Sequence, residues 1–249
     1  MPLLGLIGYP LGHSFSKHYF KKKFEAEGLI GYDYREFPLD NLALFPGLVR
    51  SQPGLIGLNV TIPYKTSILP FLDTLDDTAR AISAVNTVKI SRSGNDLRLA
   101  GYNTDAYGFL SMFRTLHQPW HQQALILGTG GAARAVRHVF NNLGIDCLFV
   151  SRCPSGKDQI SYSGLDEKRI KKTDILVNAT PLGMFPHVLE SPDFHYDWIR
   201  TGQLVIDLIY NPPKTVFLQR AEEKGAVICN GLEMFHQQAE SAWEIWKEE

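Results

Sequence analysis

Short apolar runs alternate with helix-like periods along most of the chain, a pattern typical of an α/β protein. Apolar or alternating runs predict strands near residues 3–7, 32–37, 55–61, 84–88, 97–102, 124–127, 147–150, 175–178, 204–210 and 226–229. Apolar positions at helical spacing predict helices near residues 19–24, 42–49, 78–82, 107–116, 132–140, 215–224 and 234–246. The repeated strand–helix order predicts sheets with helices packed on their faces.

Three segments depart from this alternation. Residues 93–96 predict a hairpin turn between two strands. Residues 152–175 contain glycine, serine and proline in place of helical spacing, so we expect this crossover to have lost its helix. A turn-rich break interrupts the pattern at 117–121. The chain of 249 residues is long enough for two compact domains.

A glycine cluster stands between a strand and a helix at residues 124–136. Gly128, Gly130 and Ala133 have the spacing G-x-G-x-x-A, in which small residues let a pyrophosphate approach the positive end of a helix. The same turn also occurs as plain α/β scaffolding, and the spacing alone leaves both interpretations open.

The strand at 147–150 ends in Ser151 and Arg152, where NAD-binding folds usually carry an acidic residue for the ribose hydroxyls. An arginine beside a hydroxyl instead suits a 2′-phosphate, because a guanidinium can form two hydrogen bonds with it. The pattern therefore favours NADP over NAD, with a solvated loop arginine as the alternative.

Charge and cysteine content narrow the classes of partner. The 25 basic and 26 acidic residues leave a formal net charge of −1, so nothing points to nucleic acid or an anionic membrane, and we expect small-molecule partners. Cys147, Cys153 and Cys229 have no paired spacing, which is typical of a reduced cytoplasmic protein. We expect no membrane span, no leader peptide and, from the scattered histidines, no metal site.

Several polar residues stand at predicted strand ends or helix starts. Ser14 and Ser16 precede a helix and could cap it or hold an anion. Asn59 and Thr61 share one face at the end of a strand, where ligands bind in α/β sheets. Lys65 stands at a predicted helix start, whose dipole would favour the neutral amine used in proton transfer; a solvated lysine is the alternative.

Further along, Asn86 lies in an otherwise apolar strand, and Thr104 and Asp105 open a predicted helix. Thr104 or Asp105 could be a simple helix cap; the alternative is that Asp105 faces Lys65 across a cleft. Gln238 lies beside the apolar stripe of the last helix, a place where a glutamine is usually a surface residue.

Seven motifs, in this order, resemble those of the shikimate dehydrogenase family. They are GHSFS at 12–16, NVTIPYK at 59–65, AVNTV at 84–88, GYNTD at 101–105, GTGGA at 128–132, NATP at 178–181 and the segment 231–239. The resemblance implies an α/β fold of two domains. Residues 1–104 and 233–249 would form an N-terminal substrate-binding domain, to which the C-terminal helix returns, and residues 105–232 a Rossmann-like NADP-binding domain.

The resemblance also implies site residues. The substrate residues would be Ser14, Ser16, Thr61, Lys65, Asn86, Asp105, Tyr210 and Gln238, with Lys65 and Asp105 as the catalytic acid–base pair. The cofactor residues would be Asp77, Gly128, Thr129, Gly130, Gly131, Ala132, Ser151, Arg152, Thr180, Leu208 and Glu233.

The activity that the resemblance implies is the reversible, NADP-dependent reduction of 3-dehydroshikimate to shikimate in aromatic amino-acid biosynthesis, by a cytoplasmic monomer or homodimer. One alternative is a relaxed quinate/shikimate dehydrogenase that uses NAD or NADP, since Ser-Arg-Cys at 151–153 replaces the family's usual Asn-Arg-Thr. Another is a non-catalytic ligand sensor on the same scaffold, against which the retention of Lys65 and Asp105 argues.

Overall fold

A computed structural model describes residues 1–12, 15–94 and 96–248, and its contacts divide the chain into two compact units. The first unit comprises Met1–Thr104 and Ala239–Glu249, and the second comprises Asp105–Gln238. The division by contacts therefore falls inside the last helix. The substrate-binding and NADP-binding domains that the sequence predicts, with their boundary at 232/233, stay predictions.

The strands and helices of the described residues follow the predicted order. The strands are β1 (Leu3–Gly8), β2 (Asp33–Pro38), β3 (Leu55–Val60), β4 (Thr74–Leu75), β5 (Thr87–Ser93), β6 (Asp96–Tyr102), β7 (Gln123–Leu127), β8 (Asp146–Ser151), β9 (Gln159–Ser161), β10 (Ile175–Asn178), β11 (Leu204–Asp207) and β12 (Val227–Asn230). The helices are α1 (Phe15–Ala26), α2 (Phe45–Ser51), α3 (Asp77–Ile82), α4 (Thr104–Arg114), α5 (Gly131–Asn142), α6 (Glu167–Lys172), α7 (Val216–Glu223) and α8 (Leu232–Lys247). Among these helices, none combines the length and the apolar character that crossing a bilayer requires.

The first unit is built on a mixed sheet with the strand order β2-β1-β3-β5-β6-β4. β1 is parallel to β2 and β3, whereas β5 is antiparallel to β3 and β6. Ser93 pairs with Asp96, which confirms the predicted hairpin; Asn95 within it lies outside the described residues.

Hydrophobic cores lie on both faces of this sheet because successive side chains of a strand point to opposite faces. Leu4 and Leu6 of β1 pack with Phe20 of α1 and Trp246 of α8, while Ile7 packs into the other core. The Trp246 indole N–H donates a 3.0 Å hydrogen bond to the carbonyl of Val88 in β5. This contact confirms that the C-terminal helix returns to the first unit.

The second unit contains an all-parallel sheet with the order β12-β11-β10-β7-β8-β9. Counted from β7 as the first strand, this is the order 3-2-1-4-5-6 of a doubly wound dinucleotide-binding fold. The Rossmann-like fold predicted for this part of the chain is confirmed. Its topological switch point lies between β7 and β10, where ligands bind in open α/β sheets.

One expectation about the second unit was wrong. The crossover between β8 and β10 has not lost its helix, since α6 forms there after the short strand β9. Asp166 caps α6 by accepting a 2.7 Å hydrogen bond from the N–H of Arg169, and Ile170 is buried in the core. A six-residue helix with a single buried side chain leaves too short a period to recognise in the sequence.

A buried polar network joins the carboxyl ends of β10 and β11. The carboxylate of Asp207, which is fully buried, accepts hydrogen bonds from Asn178 Nδ2 (3.0 Å), Thr215 Oγ1 (2.5 Å) and the N–H of Ile209 (3.0 Å). All of these donors are neutral. Burial raises the pKa of Asp207 to about 6, although the three hydrogen bonds act in the opposite direction.

Replacing Asp207 with Asn should remove a pH dependence of stability. The unfolded chain releases this proton near the ordinary pKa of 3.8, and the folded protein releases it at about 6. The contribution of Asp207 to the free energy of unfolding is therefore fully present below the unfolded pKa. It is lost as the pH rises through the folded pKa, by about 3 kcal/mol in all.

The measurement is chemical denaturation of the wild type and of Asp207→Asn between about pH 3.5 and about pH 7.5. The wild type should lose stability relative to the variant as the pH rises through this range. Parallel pH curves for the two proteins would contradict the raised pKa.

Candidate active site

Asn86 connects the first sheet to the start of α4. Its side chain accepts a 2.7 Å hydrogen bond from the N–H of Thr104 and donates a 2.9 Å bond to Thr104 Oγ1. Its backbone N–H donates to the carbonyl of Tyr102 (3.1 Å), and its carbonyl accepts from the N–H of Val60 (2.8 Å). Asn86 therefore fixes the position at which α4 begins, one residue before Asp105.

Backbone hydrogen bonds bring Thr61 and Lys65 to the same end of the sheet. The N–H of Thr61 donates to the carbonyl of Ile7 at the end of β1 (2.9 Å). The carbonyl of Lys65 accepts from the N–H of Val85, the residue before Asn86 (2.7 Å). The structure thus brings together three of the predicted substrate residues within the first unit.

The prediction that a helix starts at Lys65 was wrong. Residues 65–68 form turns, and Lys65 uses its carbonyl to bond Val85 instead of a residue further along a helix. The helix-dipole argument for a neutral amine therefore does not apply at Lys65. Its candidacy as a proton donor depends on its place beside Asn86 and on the motif at 59–65.

The other predicted residues of the first unit are Ser14, Ser16 and Asp77, and no hydrogen bond described above joins them to Asn86. Ser16 is the second residue of α1 and is partly exposed, and Ser14 lies outside the described residues. Asp77 is the first residue of α3, and its fully solvent-exposed carboxylate pairs with Arg80 at 2.8 Å. Asp76, and not Asp77, caps α3, by accepting a 2.9 Å hydrogen bond from Ala79.

In the second unit, the glycine cluster forms a turn between β7 and α5. Gly128 has a φ of +103°, a conformation that favours glycine, and Gly130 is the N-cap of α5. A methyl group at Gly130 would meet no atom within 4 Å in the described part of the chain. Because a glycine cap supplies no side-chain acceptor, the first N–H groups of α5 are left for a ligand anion.

This turn fits a dinucleotide pyrophosphate. Thr129 lies inside the turn, and Gly131 and Ala132 begin α5, the element whose N–H groups would hold the phosphates. The open space at Gly130 provides the close approach that the phosphates need. The observed geometry thus favours the cofactor interpretation of G-x-G-x-x-A over plain scaffolding.

Thr180 and Leu208 lie at the carboxyl ends of neighbouring strands. A methyl group at Gly128 would lie 3.1 Å from Thr180 Cγ2, so Thr180 is beside the glycine turn. Thr180 Oγ1 donates a 2.6 Å hydrogen bond to Asn178, and the N–H of Leu208 donates a 3.0 Å bond to the Asn178 carbonyl. Asn178 therefore positions both predicted cofactor residues.

Ser151 ends β8, the strand next to β7, and Arg152 follows it directly. Ser151 Oγ accepts a 3.2 Å hydrogen bond from the N–H of Cys153, and the Arg152 side chain is exposed. Burial raises the pKa of nearby Tyr162 to about 12, and the positive charge of Arg152 opposes that rise. The exposed guanidinium is therefore within electrostatic reach of the Tyr162 phenol and open to a phosphate from solvent.

Asp105, Tyr210 and Gln238 belong to one cluster in the second unit, which also contains Phe235. Burial and then the negative charge of Asp105 raise the pKa of Tyr210 to about 12, so its hydroxyl stays a hydrogen-bond donor near neutral pH. The Tyr210 ring packs on Phe235 with centroids 4.8 Å apart. Gln238 Nε2 donates a 3.0 Å hydrogen bond to the Phe235 carbonyl. We call these four residues the Tyr210 cluster.

Glu233 lies on the first turn of α8. Its carboxylate is exposed and accepts a 2.8 Å hydrogen bond from Gln237 Nε2. Its predicted role at the nicotinamide stays a prediction.

Sequence reasoning missed Asn178 and Asp207 as residues that position the site. The available signal was a polar residue at the end of each of two apolar strands, 175–178 and 204–207. Phe235 belongs to the apolar stripe of the last helix, a pattern that indicates a core residue, and its packing against Tyr210 is evident only from the fold. Over the described ranges, no group of three His, Cys, Asp or Glu side chains could hold a metal ion.

Known proteins similar to this chain cover nearly all of it. Residues 6–88 match the family model of the shikimate dehydrogenase substrate binding domain. The shikimate dehydrogenase (NADP(+)) of Methanopyrus kandleri is 37% identical, over 98% of this chain and 89% of the relative. The crystal structure of shikimate dehydrogenase 1 from Peptoclostridium difficile has a TM-score of 0.86 and 36% identity, over 99% of this chain and 92% of that one.

A shikimate 5-dehydrogenase from Thermus thermophilus, solved in complex with NADP(H) and shikimate, has a TM-score of 0.85 and 30% identity. That match covers 99% of this chain and 94% of the other. Sequence identity at this level along almost the whole length, on a shared two-unit fold, shows that the chain belongs to the shikimate dehydrogenase family.

Proposed function

We propose that the protein catalyses the reversible, NADP-dependent reduction of 3-dehydroshikimate to shikimate. The observation that carries this proposal is the similarity, over 98% of the chain, to relatives named shikimate dehydrogenase (NADP(+)). The open glycine turn before α5 and the polar groups at the strand ends of both units are chemically suited to a dinucleotide and a polyhydroxylated acid.

We assign the proton transfer to Lys65 and Asp105. Reduction of the ketone creates an alkoxide, to which the Lys65 ammonium would donate a proton; in the reverse direction the amine would accept it. The buried Asp105 carboxylate would orient the lysine and the reacting hydroxyl. NADPH, when bound, supplies the hydride for the reduction.

Other residues would bind and orient the substrate. Thr61 and Asn86 offer a hydroxyl and an amide near Lys65, while Tyr210 and Gln238 offer a phenol and an amide near Asp105. Ser16, in the first turn of α1, is assigned to the carboxylate because the positive end of a helix favours an anion, and Ser14, which precedes α1 in the sequence, is assigned to the same group by its motif. Several hydrogen bonds to one ring would fix its orientation for transfer.

Different residues of the second unit are assigned to the two phosphate groups of NADP. The N–H groups at Gly130, Gly131 and Ala132 would bind the pyrophosphate, and the exposed Arg152 with Ser151 would bind the 2′-phosphate. We also propose that the enzyme acts in the cytoplasm, as a monomer or homodimer. The three cysteines are free thiols, in agreement with a reducing compartment.

The reaction is tested by following reduced-nicotinamide absorbance with shikimate or quinate and NADP or NAD, in all four combinations. Rapid turnover with shikimate and NADP, and little in the other three, is the expected result. Turnover with quinate or NAD would indicate the relaxed quinate/shikimate dehydrogenase. No change in absorbance in any of the four combinations would overturn the proposed function and favour a ligand sensor.

Lys65→Ala should lower kcat by about 10²-fold or more and change the KM for shikimate little, because a general acid acts mainly in the transition state. Lys22→Ala, at an exposed position on α1, is the matched control and should keep wild-type kinetics. A Lys65→Ala enzyme with wild-type kcat would show that another group donates the proton.

Arg152→Ala should raise the KM for NADP by about tenfold or more, since a charge-assisted contact with the 2′-phosphate is lost. The KM for NAD, which has no such phosphate, should stay the same. Arg169→Ala, at an exposed position on α6, is the matched control. Equal changes in both KM values would rule out Arg152 as the phosphate-binding residue.

A further inference from the structure

We propose that Gly108 is a positioning residue for substrate binding: because it has no side chain, α8 can lie against α4, and this contact sets the position of Gln238 relative to Asp105. The inference rests on the proposed function, because it concerns the same substrate-binding residues. Gly108 itself would touch neither substrate nor cofactor.

The contact between the two helices at Gly108 is close. A methyl group on Gly108 would lie 2.5 Å from the carbonyl oxygen of Met234 and 3.0 Å from the backbone nitrogen of Gln238. Non-bonded carbon contacts are favourable only near about 3.5–4.0 Å. The third close atom is Gln238 Cβ, also at 3.0 Å. Since two of these atoms belong to the backbone of α8 and a Cβ is fixed to the backbone, no side-chain rotation could relieve the overlap, and the helix itself would have to move.

Candidate substrate residues lie on the contact faces of both helices. Asp105 precedes Gly108 by three residues on α4, so the two share a face of that helix. Met234 and Gln238 are four residues apart on α8 and likewise share a face. The contact at Gly108 therefore determines how closely the Asp105 and Gln238 faces approach.

The remaining members of the Tyr210 cluster depend on the same contact. Phe235, which follows Met234, packs on Tyr210, and its carbonyl accepts the hydrogen bond from Gln238. A shift of α8 would move Phe235 and Gln238 together, while Asp105 stays with α4. The position of Gln238 relative to the other two proposed substrate-binding residues, Asp105 and Tyr210, would therefore change.

Helix propensity alone gives no reason for a glycine at this position. Glycine is among the least favourable residues in a helix interior, and Gly108 lies inside α4. The chain offers a matched comparison in Gly47 of α2, where a methyl group would meet no atom within 4 Å in the described part of the chain. Gly47 is exposed and Gly108 is buried, so the same substitution places a methyl group against a neighbouring helix only at Gly108.

The test is Gly108→Ala, with Gly47→Ala as its control. We expect Gly108→Ala to raise the KM for shikimate by about tenfold and to lower kcat/KM by about 10²-fold, because small displacements of binding groups are costly to catalysis. Gly47→Ala should keep wild-type kinetics. Binding of adenosine 2′,5′-bisphosphate, a probe confined to the glycine turn and Arg152, should be unchanged in both variants.

The probe separates displacement of α8 from general loss of structure. Loss of adenosine 2′,5′-bisphosphate binding in step with shikimate binding would overturn the inference, because Gly108 would then be needed for folding of the whole unit. Wild-type shikimate kinetics in Gly108→Ala would overturn it as well. A wild-type enzyme without shikimate turnover would overturn the proposed function, and this inference with it.

Discussion

Burial of Asn86 is the constraint on which the first part of the site depends. A buried amide must satisfy its hydrogen-bonding groups, and here it does so with both the N–H and the hydroxyl of Thr104. The backbone of the same residue bonds Val60 and Tyr102, so one residue ties β3, the end of β6 and the start of α4 together. The neighbouring bond from Val85 to Lys65 adds the candidate proton donor to this arrangement.

Asp207 has a comparable role in the second unit, where its carboxylate accepts the hydrogen bonds that hold the strand ends. A fully buried carboxylate with neutral partners is costly to ionise, as its raised pKa shows. In return, the network organises the residues that follow two parallel strands: Asn178 bonds Thr180 and Leu208, and Asp207 bonds Ile209 just before Tyr210. Polar groups buried in this way sacrifice some stability and hold the backbone at the strand ends in one conformation.

Most of the fold could be predicted because its strands and long helices have clear periods. The two failures had different causes. Lys65 follows Pro63, a usual helix-start signal, but its carbonyl bonds Val85, and a tertiary hydrogen bond prevailed over a local preference. The short helix α6 was missed because six residues are held by a cap and one buried isoleucine.

The candidate site was identified in the sequence from motifs, and its geometry was not. Gly128, Gly130 and Ala133 indicated a dinucleotide turn by spacing alone, and the open space around Gly130 supports that interpretation. The spacing could not show that Thr180 lies beside Gly128, since the two are about fifty residues apart and meet only because parallel strands align their carboxyl ends.

The sequence by itself determined the order and type of the main elements, the glycine turn and the family to which the chain is similar. These properties depend on residue spacing and on local backbone preferences, which neighbouring residues encode. Only the tertiary structure decided that Asn86 bonds Thr104, that Asp207 is buried among neutral donors and that α8 meets α4 at Gly108. Each of these depends on atoms distant in sequence, whose approach is set by the packing of whole strands and helices.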